Sequence, residues 1–301
     1  MKNRTLHLFV ILLIMTAAAH GCSETKSDAY KNTGEAPAGG SHGIEPNSAA
    51  NYPRVLLNKD ISYAESKAEG NDIVIMIGGM GAKREWVDAW TDELYRSALD
   101  TMGVKHVFTV KGPDQEYYDK LEIKVDTLIN KVVKLADSLS AEKKKFRILI
   151  IAHSSGVFPA HQILDELYVK GKDKNGVTAG RIHYFQLDGD PGVPKGYPLT
   201  AAMVNKLARM YIVYAFDKST LTISAMHKES LMLYAMFGSK SELVAVDASD
   251  CGCNPEKIWC LHETMITSKP HNKNMYDLAQ DYTKFDKERK VTTSYLKAIY
   301  K

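Results

Sequence analysis

The sequence predicts an α/β fold whose central sheet is mostly parallel and has helices on both faces. Short apolar runs alternate along the chain with longer amphipathic segments, which is the order of strands and covering helices in such folds. Most runs are near-continuous in Val, Ile, Leu and aromatic residues, as expected of strands covered on both faces. The predicted strands are 54–63, 73–77, 106–110, 146–151, 182–187, 210–216 and 243–246.

Helical periodicity marks the segments between these strands. One helix ends near Ser138, and another follows the run 146–151 with Pro159 in its first turn, where proline is tolerated. The segment 218–238 is rich in Met and Leu and predicts one or two helices over the sheet, either facing the core or forming a mobile apolar lid. The apolar positions are Leu121, Val125, Leu128, Val132 and Leu135 in the first helix and Phe158, Ile163, Leu164 and Leu167 in the second.

The composition is that of a globular protein with a substantial core. The chain has 301 residues, of which 45% are hydrophobic and 25% charged, and this excludes disorder throughout. The net charge is +3 and the lysines are scattered apart from a triplet at 143–145. No basic stripe therefore indicates nucleic acid as a partner.

The N-terminal residues predict export from the cytosol. Residues 1–21 begin with positive charge and continue into an apolar run that is short for a membrane span, which is typical of a signal peptide. The ending Ala19-His20-Gly21-Cys22 resembles a bacterial lipoprotein cleavage site. We expect lipidation of Cys22 and anchoring at the cell envelope, and Ser23 favours the outer membrane where the host has one. The alternative is cleavage after 17–19 and a periplasmic or secreted protein.

Residues 22–51 predict a flexible tether. They are rich in Ser, Gly, Ala, Asn and Glu, contain Pro37 and Pro46, and lack an apolar period, so they cannot bury enough surface to fold. The remaining residues, 52–301, are expected to form a single domain.

A serine between small residues ends the apolar run at 146–151. A tight strand-to-helix turn needs small residues two positions before and two after a nucleophilic serine, and Ala152 and Gly156 occupy those positions around Ser154. Glycine is the usual first residue of this pattern, but alanine has the next smallest side chain, so we expect the turn to form with Ala152. The alternative is an ordinary buried strand that ends in a polar loop.

A glycine loop follows the run 73–77. Its sequence is Gly78-Gly79-Met80-Gly81, and glycines there let the backbone turn a free N–H toward a substrate carbonyl. We expect an oxyanion hole made by the N–H of Ser155 and that of Gly79 or Met80. The spacing G-x-G-x-x-G is absent, so the loop is not a dinucleotide fingerprint.

With these two motifs and the order of its elements, the chain from about Arg54 onward resembles the α/β-hydrolase family of esterases and lipases. The resemblance implies the chain order serine, acid, histidine. It places the acid at Asp217, which follows the run 210–216. Asp188 is the rival because some lipases of the family place the acid one strand earlier, and Asp190 is a weaker candidate.

The base should follow the last strand. His262 lies after the run 243–246 and is the favoured candidate, with His271 as its competitor. The earlier histidines precede the acid in chain order or fall within predicted helices and strands, and we interpret them as structural. They are His153, His161, His183 and His227.

Three cysteines remain if Cys22 is lipidated. In an exported protein a bridge from Cys251 or Cys253 to Cys260 is expected. A zinc site made by the same cysteines and His262 is the alternative, but its spacing lacks the usual Cys-x-x-Cys knuckle.

These observations predict an exported serine hydrolase that cleaves carboxylic esters, on a small molecule or a lipid, through an acyl-enzyme. Ser154 attacks, His262 transfers the proton and Asp217 orients the imidazole. This chemistry needs no metal or organic cofactor. The alternatives are a serine peptidase or acyltransferase with the same machinery, or a non-catalytic surface-binding protein, which the departure at Ala152 motivates.

Overall fold

The central sheet of the computed structural model has nine strands among the described residues, and its middle is parallel. The structure describes residues 53–114, 123–189, 198–224, 227–251, 253, 258–266 and 291–299. The strands are β1 Arg54–Asn58, β2 Ile61–Glu65, β3 Asp72–Ile77, β4 Val104–Val110, β5 Ile148–His153, β6 Ile182–Leu187, β7 Arg209–Asp217, β8 Thr222–Ile223 and β9 Ser241–Asp247. Their order across the sheet is β1-β2-β4-β3-β5-β6-β7-β8, and β9 also pairs with β7.

Helices cover both faces of this sheet, which confirms the predicted α/β class. One turn of π-helix, Tyr95–Leu99, directly follows the helix Arg84–Leu94, and 3₁₀ turns lie at Ser154–Gly156 and Ser294–Ile299. None of the described helices is long and apolar enough to cross a membrane. The helices are α1 Arg84–Leu94, α2 Asp126–Ala141, α3 Val157–Tyr168, α4 Ala201–Lys206, α5 His227–Phe237 and α6 Ile258–Glu263.

Strand β3 shows how the sheet separates two hydrophobic cores. Ile73, Ile75 and Ile77 belong to the core that includes α2 and α3. The alternate residues Val74 and Met76 belong to the core that includes α1. Successive side chains of a strand point to opposite faces, so a continuous apolar run fills both cores.

The predicted strand 54–63 is a hairpin of β1 and β2. The two strands pair antiparallel, and residues 59–60 form the turn between them. The Asn58 side chain accepts a hydrogen bond from the Asp60 N–H at 2.9 Å, a local bond that favours a turn over continued strand. The sequence prediction joined the apolar residues on both sides of Asn58-Lys59-Asp60 into one strand.

The region 218–238 contains the two-residue strand β8 and the helix α5. The inner side of α5 packs Leu233, Tyr234 and Phe237 against the core, as the core-facing interpretation predicts. Met232 and Met236 lie on its exposed side.

The parallel strands β3, β5, β6 and β7 place the predicted site residues at one edge of the sheet. Carboxyl ends of parallel strands meet at the same edge, which is where ligands bind in open α/β sheets. The predicted signal peptide 1–21, Cys22, the predicted tether 22–51, Asp190 and His271 lie outside the described residues.

Candidate active site

Ser154 occupies a strained turn directly after β5. Its φ is +54°, a left-handed conformation that non-glycine residues rarely adopt. The 3₁₀ turn Ser154–Gly156 leads from β5 into α3 without an intervening loop. The predicted strand, serine turn and helix are therefore present in that order, with the serine side chain at the edge of the sheet.

The neighbours of Ser154 are small because the adjoining backbone is close. A Cβ on Gly156 would lie 2.5 Å from the carbonyl oxygen of Gly78, which no side chain could tolerate without a backbone shift. Ala152 is fully buried within β5, where it pairs with Ile77 and with a residue of β6. The turn therefore keeps its geometry with alanine at this position.

Gly79 lies against the serine turn. A Cβ on this residue would come within 3.0 Å of the Cβ of Ser154 and 3.1 Å of the Nδ1 atom of His153. The absence of a side chain lets the glycine-loop backbone reach the serine.

The N–H groups of the glycine loop divide into bonded and unbonded donors. Gly78 donates to the Val110 carbonyl at 3.2 Å, and Gly81 donates to the Pro113 carbonyl at 2.8 Å. No residue in the described part of the chain accepts a bond from the N–H of Gly79 or Met80. Both candidates for the second donor of the predicted oxyanion hole are thus without a hydrogen-bond acceptor among the described residues.

A buried histidine–aspartate pair lies beside this turn. The Nδ1 atom of His262, on α6, is 2.5 Å from the Oδ2 atom of Asp188. Asp188 has no exposed surface and His262 is 4% exposed. With Nδ1 bound to a carboxylate, the tautomer that leaves Nε2 free to accept a proton is favoured.

The sheet register places Asp188 level with Ser154. His153 of β5 pairs with Leu187 of β6, so Ser154 and Asp188 are the residues at which the two strands leave the sheet. Asp188 also has a positive φ, +41°. Two non-glycine residues in strained conformations at matching positions of neighbouring strands are typical of a functional site.

Asp217 is not the acid that contacts His262, and this corrects the sequence prediction. Its Oδ1 atom accepts hydrogen bonds from the Ser219 N–H at 2.8 Å, the Ser219 hydroxyl at 2.6 Å and the Thr220 N–H at 3.4 Å. The hydrogen bond from the Ser219 hydroxyl is the largest influence that lowers the pKa of Asp217. The Asp217 carboxylate is thus bound by residues of its own turn, whereas the Asp188 carboxylate contacts the His262 imidazole.

His153, which the sequence analysis interprets as structural, packs between the serine turn and α6, although its contact with His262 was not predicted. Its ring centroid is 4.6 Å from that of His262, and its Nε2 atom is 3.4 Å from the His262 carbonyl oxygen. The ring of Trp90 is edge-on to the ring of His153, with the two centroids 6.4 Å apart. Burial, and then the neighbouring His262, lowers the pKa of His153 well below its ordinary value. A neutral ring therefore supports the position of His262.

Ser224 is a residue that the sequence did not single out. Its hydroxyl donates to the Oδ1 atom of Asp188 at 2.8 Å. The residue lies just beyond β8 in a stretch with several Ser and Thr residues, so no local motif distinguishes it.

A disulfide bond joins Cys253 to Cys260, one of the two expected pairings. Cys260 lies on α6 two residues before His262, so the bond ties the helix that carries the imidazole. Cys251 is free and half-buried. The bond uses two of the thiols that the zinc alternative needs, and the described residues contain no group of three or more His, Cys, Asp or Glu side chains placed to hold a metal ion.

No protein family model and no curated protein sequence matches this chain. Several solved structures are similar to it. An esterase from Pyrococcus furiosus is 17% identical, with a TM-score of 0.39 over 66% of this chain and 84% of that one. Carboxyl esterase 2 from the fungus Tuber melanosporum is 9% identical, with a TM-score of 0.42 over 67% and 78%. An alpha/beta hydrolase from a Medee basin deep-sea metagenome library is 12% identical, with a TM-score of 0.40 over 66% and 84%. At these values the similarity assigns no activity to this chain.

Proposed function

We propose that this chain is a serine hydrolase that cleaves carboxylic esters through an acyl-enzyme. The observation that carries the proposal is the buried 2.5 Å contact between His262 and Asp188, at the strand end next to that of Ser154. A serine hydroxyl becomes a useful nucleophile only beside a base that an acid orients. The strained turn at Ser154 and the unbonded N–H groups of the glycine loop support the same chemistry.

In the proposed mechanism the oxygen of Ser154 attacks the ester carbonyl carbon while the Nε2 atom of His262 takes the hydroxyl proton. The carbonyl bond re-forms, the alcohol leaves with that proton, and an acyl-enzyme remains. Water then attacks the acyl group, with His262 again acting as base and then acid. Asp188 orients the imidazole of His262 and stabilises the imidazolium, in the role that the sequence assigns to Asp217.

The tetrahedral intermediate carries a negative oxygen that needs donors. We assign these to the N–H of Ser155 and to that of Gly79 or Met80. Donors of this kind contribute about 10²- to 10³-fold to kcat because they strengthen as charge develops. Gly79 supports the assignment because its backbone lies against Ser154.

We also propose that the enzyme is exported and anchored at the cell envelope by a lipid on Cys22, with a small-molecule or lipid ester as substrate. The lipoprotein-like ending at 19–22 and the polar tether at 22–51 support this proposal. Fractionation of cells that express Cys22→Ser tests it. The variant should move from the membrane to the soluble fraction, and unchanged partitioning would contradict the lipid anchor.

A fluorophosphonate probe tests the nucleophile. The wild-type chain should be labelled covalently, with the label mapped to Ser154 by mass spectrometry of peptides. Ser154→Ala should abolish labelling. The matched control is Ser249→Ala. Ser249 lies just after β9, its hydroxyl donates to the Asp247 carboxylate, and it has no role in the proposed mechanism. Labelling that persists in Ser154→Ala would falsify the assignment.

Substrate class needs a separate assay, because the same machinery serves peptidases and acyltransferases. We expect hydrolysis of p-nitrophenyl esters to exceed that of matched amides and thioesters. Faster turnover of the amides would favour the peptidase alternative instead.

A further inference from the structure

We infer that Ser224 is a positioning residue that holds the Asp188 carboxylate directed at His262. The inference rests on the proposed function, since it assigns Ser224 a role in that site. It concerns a residue that does not touch the reacting atoms and acts through the acid.

The two oxygens of Asp188 are held by different parts of the chain. Oδ2 contacts the Nδ1 atom of His262 at 2.5 Å, and Oδ1 accepts from the Ser224 hydroxyl at 2.8 Å. Asp188 and Ser224 are both fully buried. A carboxylate held at both oxygens cannot rotate about its terminal bond without losing a contact, so Ser224 restricts the orientation that His262 meets.

The strand β7 determines which way the Ser224 hydroxyl points. The Ala215 N–H donates to the Ser224 oxygen at 3.1 Å, and the Ser224 N–H donates back to the Ala215 carbonyl at 3.0 Å. Because the oxygen already accepts from a backbone N–H, its own hydrogen is available to Asp188, which as a carboxylate only accepts. Ser224 therefore links the acid to the backbone of the sheet.

Removing this hydroxyl should alter the pH dependence of the reaction as well as the geometry of the site. A fully buried carboxylate stays ionised only with hydrogen-bond donors or positive charge beside it. Loss of the Ser224 hydroxyl removes a hydrogen-bond donor from the Asp188 carboxylate. The acid limb of the kcat/KM profile should move toward higher pH.

The experiment compares Ser224→Ala with two further variants of the full chain in ester hydrolysis. We expect Ser224→Ala to lower kcat about tenfold with KM within about twofold, because the lost bond is to a charged group and acts through orientation. Ser224→Cys keeps the size of the side chain but has a weaker donor, and we expect a smaller loss. The matched control is Ser219→Ala, whose hydroxyl makes a similar 2.6 Å bond to the other strand-end aspartate, Asp217. It should keep the wild-type profile.

Two readouts separate positioning from misfolding. Thermal denaturation establishes that each variant is folded, and proton NMR follows the downfield Nδ1–H of His262, which His262→Gln identifies. We expect this resonance to shift in Ser224→Ala and to stay in place in Ser219→Ala. If Ser224→Ala does not fold, Ser224→Cys carries the test.

The outcomes distinguish the inference from the proposed function. Wild-type turnover that depends on Ser154, combined with folded Ser224 variants of unchanged kcat, pH profile and resonance, overturns the inference alone. A wild-type chain without turnover or probe labelling overturns the proposed function and the inference with it. A shifted profile and resonance in the Ser224 variants, with Ser219→Ala unchanged, supports the assignment.

Discussion

The carboxyl ends of β6 and β7 are neighbouring strand ends that both lead to an aspartate, yet the two aspartates have opposite surroundings. Asp217 is bound by Ser219 and Thr220, two and three residues further along its own turn. Asp188 is bound by Ser224 and His262, which are 36 and 74 residues away. The first carboxylate stabilises a loop, and the second joins distant parts of the chain.

The residues that follow each aspartate explain the difference. Ser219 and Thr220 offer donors within reach of Asp217, and short polar residues after an aspartate form such turns readily. Asp188 is followed by Gly189, where a Cβ would come within 2.3 Å of Gln186 and 2.4 Å of Val157. Gly189 has no side-chain donor to offer Asp188. Among the described residues, the side chains that contact this carboxylate belong to distant parts of the chain.

Exchange of each carboxylate for an amide should show the largest difference between Asp188 and Asp217. Asp188→Asn should lower kcat/KM by about 10³-fold or more, because an amide favours the wrong tautomer of His262 and cannot stabilise its imidazolium. Asp217→Asn should stay within about threefold of the wild type. Steady-state kinetics on a p-nitrophenyl ester measures both, and a larger loss in Asp217→Asn would reverse the assignment.

The partner of Asp188 can be disturbed through the disulfide bond. Cys253→Ser should lower kcat by up to about 10²-fold, because α6 would hold His262 less accurately and small displacements of a catalytic group are costly. Opening a loop of this length, with a sequence separation of 7, should lower the free energy of unfolding by about 2 kcal/mol. Ester hydrolysis and denaturant unfolding measure the two effects.

Cys251→Ser is the matched control for this change, since Cys251 is the free cysteine of the same segment. It should behave as the wild type, and dithiothreitol should reproduce the effects of Cys253→Ser in the wild-type chain. Full activity of the reduced protein would show that α6 holds its position without the bond.

Mild acid should lower the stability of the protein through His153, at the end of β5, before it affects Asp217, at the end of β7. His153 stays neutral in the folded protein because burial and His262 lower its pKa, whereas in the unfolded chain it takes up a proton near pH 6.5. Below that pH the unfolded state binds more protons, so stability falls as pH falls, by up to about 1.4 kcal/mol per pH unit. His153→Gln should reduce this slope in unfolding measured between pH 6.5 and 5.

Asp217→Asn separates this effect from carboxylate titration. The folded pKa of Asp217 lies below its ordinary value of 3.8, so its contribution to stability is complete above the unfolded pKa and is lost only as pH falls through the folded value. The variant should keep the wild-type slope between pH 6.5 and 5. An unchanged slope in His153→Gln would instead assign the acid sensitivity to other groups.

Much of the fold was predictable because its signals are local. Apolar runs located the parallel strands, and the small residues around Ser154 located the turn that the structure shows. The turn between β1 and β2 was missed because the apolar positions continue on both sides of it. The histidine of the buried pair, His262, could be chosen from chain order. Its acid could not, since Asp188 and Asp217, the two stronger of the three candidates, both lie at the end of a strand of the same sheet.

The sequence by itself determined the α/β class, the position of Ser154 and the glycine loop, because strand periodicity and the steric demands of tight turns act over a few residues. Only the tertiary structure decided that Asp188 receives His262, that Ser224 holds the other oxygen, and that Cys253 rather than Cys251 binds Cys260. The two contacts of Asp188 bring together residues 36 and 74 positions apart. They depend on how β6, β8 and α6 pack, and no local pattern encodes that packing.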